Sequence, residues 1–296
     1  MLPVELYLLL FALLLDLIFA EPPKTFHPVV WFGKLISFFE RFFVKIEKLG
    51  PFVQFLYGSA AAMAVIFFAL ALAFAPIPEP LNYFWHAYLL FSSFSIKSMI
   101  LHATECLKSD MSPEVVQRIV SRDTKKLNKH QLRSAVIEST SENFVDGVMA
   151  PLFYFSIFGI AGAVVYRAIN TLDSMVGYRG KYEFFGKLSA RLDDIANYIP
   201  ARLSLVFFEF IKRGSFSHGL KNRVKLNGTT IAAMSYVLGV KLEKPGFYSL
   251  PGRLAEDEDV KKAIRIFKIL STMAAVYTIF FLLLRLLLME KVYISL

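Results

Sequence analysis

Glu138, Glu142 and Asp146 recur at i, i+4 and i+8, so a persistent helix would line three carboxylates on one face. Like charges at that spacing repel, and no Lys stands between Glu138 and Asp146 to relieve them. The stripe calls for an Arg or an external cation, which suits a metal or a cationic substrate. Ser139 and Asn143 form a neighbouring stripe, and Gly147 with Pro151 signals a change of direction. Farther on, Asn170, Asp173 and Ser174 share a face at i, i+3 and i+4, with Thr171 beside them. A third cluster holds Arg191, Asp193, Asp194 and Asn197, then Tyr198, Pro200 and Arg202. Adjacent aspartates point in different directions on a helix, so one could bind magnesium while the other orients Arg191. A surface ion-pair network is the plainer use of the same residues.

Two outlying pieces carry polar chemistry. Glu21-Pro22-Pro23 and His27-Pro28-Val29 follow the first apolar run directly, although a lone histidine is more often structural. Ser121-Arg122-Asp123-Thr124 offers a guanidinium and two hydroxyls to a phosphate, with a helix cap as the commoner use of such a tetrapeptide. No Gly-x-x-x-x-Gly-Lys-Ser/Thr loop, His-Glu-x-x-His pair, zinc-type Cys/His spacing or Gly-x-Ser-x-Gly elbow is present. The polar residues alone therefore suit a magnesium–phosphate substrate and go no further.

The elements that must position these groups are apolar. Of 296 residues, 56% are apolar and 19% charged, and mean hydropathy is +0.51. That excludes a disordered chain, and the single cysteine, Cys106, excludes a disulfide scaffold. The net charge of +9 sits in loops between apolar runs, which is membrane topology and not the basic-aromatic interleaving of a nucleic-acid module. Four runs are candidate spans: 1–20, Phe52–Ala75, Leu81–Leu101 and Ile269–Met289. Residues 21–51 carry five Lys and Arg and residues 103–147 carry seven, whereas 76–80 carry none. This asymmetry places both termini outside and the basic segments inside.

Val148–Val165 is also apolar enough to span, but crossing would put the eighteen Lys and Arg of 167–268 outside. A re-entrant turn near Gly159–Gly162, or a protein-buried helix paired with Leu203–Ile211, keeps Asp146 and Asn170 on one side, and the charge rule favours it. Trp31–Leu49 reads as an amphipathic helix in the membrane interface or as an ordinary half-buried helix. The fold class expected is all-α: a polytopic membrane protein with about four transmembrane helices, a re-entrant or buried helical hairpin and an interfacial helix. The chain reads as a single integral membrane domain, 1–296, with 103–147 and 167–268 on the cytoplasmic face of the cell membrane.

The stretch Glu138-Ser-Thr-Ser-Glu-Asn-Phe-Val-Asp-Gly-Val-Met-Ala-Pro-Leu-Phe153, the segment Tyr166–Tyr178 and the segment Phe185–Arg202 resemble the signature of the adenosylcobinamide-phosphate synthases. These are integral membrane enzymes of cobalamin biosynthesis. The Pro-Pro…His27-Pro-Val and Ser121–Thr124 segments match as well, so the resemblance covers most of the chain. It departs at Ala20-Glu21, where the family has Gly-Asp, and at Lys225-Leu226-Asn227-Gly228, where it has Ser-Pro-Asn-Gly. The second change weakens any role for the Ser-Pro and leaves Asn227 as a candidate.

The resemblance implies an ATP- and magnesium-dependent amide ligation between adenosylcobyric acid and an amino alcohol phosphate, either aminopropanol phosphate or an ethanolamine analogue. On that reading Glu142, Asp146, Asp173 and Asp193 hold magnesium, and Glu138, Glu142, Asp146, Asp173 and Asp194 serve catalysis. Arg122, Arg191 and Arg202 hold phosphate. Asn143, Asn170, Ser174, Asn197 and Asn227 orient substrate, and His27 and Glu21 contact it or move a proton. The implied partners are the corrinoid, the amino alcohol phosphate and the lipid bilayer, with other membrane-associated cobalamin-assembly enzymes and a second copy of the chain as further candidates, and no nucleic acid. A non-catalytic scaffold or sensor is one competing class. A transporter, suggested by Asp16 and Lys97 within apolar runs, is the other.

Overall fold

Prolines and capping side chains set where the helices begin. The computed structural model describes residues 3–294, so Met1 and Leu2 of the first expected span lie outside the described residues. In chain order the helices are α1 (Val4–Phe19), α2 (Pro28–Ile46), α3 (Pro51–Ala73), α4 (Leu81–Phe91), α5 (Ile96–Lys108), α6 (Pro113–Val116) and α7 (Lys129–Phe144). They continue as α8 (Ala150–Val176), α9 (Lys187–Ala196), α10 (Tyr198–Ile211), α11 (Ser215–Lys221) and α12 (Thr229–Leu238). A two-stranded antiparallel hairpin follows, β1 (Glu243–Lys244) and β2 (Tyr248–Ser249), and then α13 (Asp257–Ile294). Pro28 and Pro51 occupy the first helical turn, where a missing N–H costs nothing. Asn128 and Gln131 cap α7 reciprocally.

The chain falls into two compact units. The first comprises Met1–Ser95, Ala150–Ala196 and Tyr277–Leu296; the second comprises Ile96–Met149 and Asn197–Val276. In the first unit α3 buries a small-residue face, Gly58, Ala61, Ala62, Val65, Ala69 and Ala73. Its large side chains point outward, with Phe52 71% and Phe67 61% exposed. That inverts the pattern of a soluble helix and is the pattern of a lipid-facing one, where small residues let backbones approach. The approach is close: a Cβ on Gly58 would fall 1.9 Å from the Phe185 carbonyl oxygen. Two charges in the apolar runs neutralise each other, Arg285 Nη2 lying 3.0 Å from Glu5 Oε1.

Helix α8 doubles back at Gly159. The rings of Tyr154 and Tyr166 stack with centroids 5.4 Å apart, whereas twelve residues of straight helix would separate them by about 18 Å. Gly159 makes the reversal with φ 63° and ψ −151°, a conformation essentially restricted to glycine. In the second unit Phe144 anchors the core, edge-on to Phe208 and Phe267.

Three helical stretches are long and apolar enough to cross a membrane: Pro51–Ala73, Lys129–Val176 and Asp257–Leu288. This makes the chain a membrane protein of helical type; three such stretches among the described residues do not confirm the count of about four spans. The expected span Leu81–Leu101 is broken, because the Ser92 and Ser93 hydroxyls bond back to the Leu89 carbonyl and end α4 after eleven residues. Lys97 consequently lies in the first turn of α5 and not inside a span. Helix α1 has sixteen residues, about 24 Å, which is short of the hydrocarbon thickness. The Lys129–Val176 stretch contains the Gly159 reversal and is no straight rod. The amphipathic stretch read as one helix over Trp31–Leu49 is α2 followed by a 3₁₀ turn, Glu47–Leu49.

Candidate functional site

In the second unit Glu138 is the hub of a buried polar network. Its side chain is 1% exposed, and one carboxylate oxygen accepts from the Ser134 hydroxyl at 2.7 Å. The other oxygen accepts from Arg122 Nη2 and, at 2.5 Å, from the Tyr248 hydroxyl. Arg122 Nη1 donates to the Glu243 carbonyl at 3.0 Å, and the Glu243 N–H donates to the Ser134 hydroxyl at 2.8 Å. The β1–β2 hairpin is thereby tied to α7 directly at Glu138 and Ser134, and a third time through Arg122. Burial, followed by the Glu138 charge, pushes the Tyr248 hydroxyl well above the usual tyrosine range, so it stays protonated and donates.

One turn along α7, Glu142 is partly exposed and pairs with Lys225 at 2.8 Å. Lys244, on β1, is held below the usual lysine range, first by burial and then by the neighbouring Arg122 guanidinium. Three cations, Arg122, Lys225 and Lys244, thus gather around two carboxylates, one of which is fully committed to its own network. These partners relieve the repulsion that the acidic stripe would suffer alone. Asp146 departs from the α-helical register, because Val145–Met149 is a π-helical turn. Asn143 Nδ2 donates to the Ser139 carbonyl at 2.9 Å, and the Ser139 hydroxyl donates to the Ile119 carbonyl at 2.7 Å. Asn197 is buried at the head of α10. Arg202 stacks 3.5 Å from the Tyr198 ring and donates to Asn227 Oδ1 at 3.3 Å.

The first unit holds a second polar set. Arg167 Nη1 donates to Asn170 Oδ1 at 3.2 Å, and Asn170 Nδ2 reaches Asp193 Oδ1 at 3.5 Å, joining α8 to α9. The Ser174 hydroxyl donates to the Asn170 carbonyl at 2.8 Å. The Asp173 carboxylate folds over Gly177, where a Cβ would fall 2.0 Å from its Oδ1. Arg191 and Asp194 form an open pair at 3.8 Å, both well exposed. His27 Nδ1 accepts from the Val29 N–H at 3.3 Å and so caps α2, which places its proton on Nε2. Burial, then the Arg167 charge, lowers the imidazole to about 4, with Glu21 opposing.

Among the described residues no group of three or more His, Cys, Asp and Glu side chains stands together as a metal cage. Of the four carboxylates expected to hold magnesium, Glu142 and Asp146 belong to the second unit and Asp173 and Asp193 to the first. Magnesium needs no such cage, since it commonly takes one or two carboxylates with substrate phosphates and waters. A carboxylate ringed by cations, as Glu142 is, suits a magnesium–phosphate better than a bare metal. Reading the sequence alone misses Lys244, Tyr248, Ser134 and Arg167. Of these only Arg167 lies inside a recognisable motif, while Tyr248 joins Glu138 across 110 residues.

A family model described as CobD/Cbib protein matches residues 9–281. The chain belongs to the CobD/CbiB family. A protein of Archaeoglobus fulgidus named a probable cobalamin biosynthesis protein CobD is 57% identical over 98% of this chain and 99% of its own length. A CobD/CbiB relative of the same name from Pyrococcus furiosus is 48% identical over 88% and 92%. A cobalamin biosynthesis protein CobD of Dehalococcoides mccartyi is 37% identical over 83% and 86%. No solved structure matches the chain.

Proposed function

We propose that this CobD/CbiB protein is an ATP-dependent amide ligase of cobalamin biosynthesis, joining adenosylcobyric acid to an amino alcohol phosphate at the cytoplasmic face of the membrane. The observation that carries the reading is the gathering of Arg122, Lys225 and Lys244 around Glu142 in a chain whose relatives bear a cobalamin biosynthesis name.

A carboxylate resists attack by an amine, so the propionate must first be activated. Its oxygen attacks a phosphorus of ATP, and ADP or pyrophosphate leaves. The amine then attacks the acyl carbon, the phosphoryl group leaves with that oxygen, and the amine proton passes to a base. Arg122 and Lys244 bind the phosphoryl oxyanions in a partly desolvated place, where such contacts are strongest. Glu138 fixes the Arg122 fork, and Tyr248 and Ser134 fix Glu138. Magnesium, held through Glu142 with Asp146 as a second candidate, would supply charge neutralisation on the phosphates. Lys225 is then free to leave Glu142 for the anion. The first unit, taken by itself, presents a separate donor and acceptor set in Arg167, Asn170 and Asp193 that suits a polar ligand. Neutral His27, with a proton on Nε2, donates a hydrogen bond or relays a proton.

The reading is tested on purified protein in nanodiscs given adenosylcobyric acid, aminopropanol phosphate, ATP and magnesium. Formation of the corrinoid amide only when ATP is present supports it, and ADP or AMP as product identifies the activated acid. Folded protein that binds the corrinoid and forms no amide with either amino alcohol phosphate overturns it.

A further inference from the structure

Helix α2 presents opposite faces to different surroundings. Pro28, Phe32, Ile36 and Phe43 are buried within the first unit. The other side carries Lys34, Ser37 and Arg41 at i, i+3 and i+7, stacked along one stripe. These three line an open cavity of about 590 Å³ together with Val30, Phe38 and Met175. Among the described residues neither cation has an ion pair or hydrogen bond, and neither does the Ser37 hydroxyl. No acidic side chain lines the cavity, and the adjacent Glu40 is taken by the Tyr182 hydroxyl.

Two uncompensated cations and a hydroxyl on one wall favour an oxyanion, and an Arg fork beside a Lys ammonium matches phosphate oxygens. The remaining wall is apolar, and Phe38, 52% exposed, extends it toward the outside. A ligand that satisfies both walls joins a phosphate to a carbon skeleton. We propose that this cavity binds a phosphate ester, with the phosphate on Lys34, Ser37 and Arg41 and the carbon part on Val30, Phe38 and Met175. Two sources offer that chemistry, the headgroup of an anionic phospholipid and a soluble phosphate monoester. The cavity shares no residue with the network around Glu138, so the proposal stands independently of the ligase reading.

The full chain in uncharged maltoside micelles, carrying Trp85→Phe so that Trp31 of α2 reports alone, is titrated with dihexanoylphosphatidylglycerol and, separately, with glycerol 3-phosphate, a phosphate monoester that is not a substrate of the proposed ligation. Native mass spectrometry counts the bound molecules in parallel. Lys34→Gln/Arg41→Gln is compared with Lys45→Gln/Lys48→Gln, which removes the same charge from the same segment outside the cavity. At least one probe binds saturably, and the cavity variant weakens it about tenfold or more while the control changes it less than about twofold. The probe that binds identifies the source. Equal weakening by the two double variants would show diffuse surface attraction, and saturable binding of neither probe would show no such site; either result overturns the proposal.

Discussion

Glu138 shows how a buried charge is made tolerable. Its carboxylate accepts from Arg122, Tyr248 and Ser134, so both oxygens are satisfied inside the second unit. Removing the charge leaves the Arg122 guanidinium half-buried and uncompensated, whereas removing the Tyr248 hydroxyl deletes one charge-assisted bond. Glu138→Gln is therefore expected to cost about 3 kcal/mol and Tyr248→Phe about 1.5–2 kcal/mol, read as an ordered fall in thermal midpoint in detergent. Equal midpoints for both variants and the wild type would show that the network is not holding the hairpin. His27 gives a pH dependence. The folded imidazole titrates near 4 and the free one near 6.5, so the unfolded chain takes up the proton first. The stability gained by keeping His27 neutral is complete above about pH 6.5 and is lost as the pH falls toward 4. His27→Asn keeps a capping side chain without a titrating ring, and the midpoint-versus-pH slope should flatten across that window.

At the scale of the element, the reversal of α8 rests on two glycines, Gly159 for its backbone conformation and Gly162 for the close approach of the Tyr154 carbonyl. Gly159 sits at φ 63°, ψ −151°, and a Cβ there would meet nothing within 4 Å, so any cost of Gly159→Ala is backbone strain alone. We expect a loss of about 1–3 kcal/mol, seen as a lower thermal midpoint, and an unchanged midpoint would mean the turn tolerates an L side chain. This turn was legible in the sequence, because glycines at 159 and 162 interrupt an apolar run that the charge rule disfavours as a crossing. The break between α4 and α5 was not. An apolar count over Leu81–Leu101 passes over Ser92 and Ser93, whose hydroxyls compete locally for a carbonyl and end the helix. The Arg122 and Glu138 candidates could be named from motif and charge spacing. Tyr248 and Lys244 could not, since two-residue strands have no readable period and their partners lie more than a hundred residues away.

At the scale of the whole molecule, neither unit is one continuous stretch: the chain passes between them after Ser95, Met149, Ala196 and Val276. A cut after Met149 or Ala196 divides both units and a cut after Ser95 or Val276 divides the first, so function has to be tested on the full chain. The net charge of +9 lies in segments flanking the apolar helices, and the charge rule predicts the cytoplasmic side for the basic segment 103–147. A Lys126→Cys probe in a Cys106→Ser background should react with an impermeant maleimide in inverted vesicles and not in right-side-out ones. The opposite labelling would reverse the assigned side. The most direct test of the ligase account follows one oxygen atom. Adenosylcobyric acid labelled with heavy oxygen in its reacting propionate carboxylate is turned over with ATP, magnesium and each amino alcohol phosphate, aminopropanol phosphate and ethanolamine phosphate, in turn. The account predicts that one labelled oxygen appears in inorganic phosphate or in AMP for each amide formed. Amide formed without label in either product, or no amide at all, would contradict it.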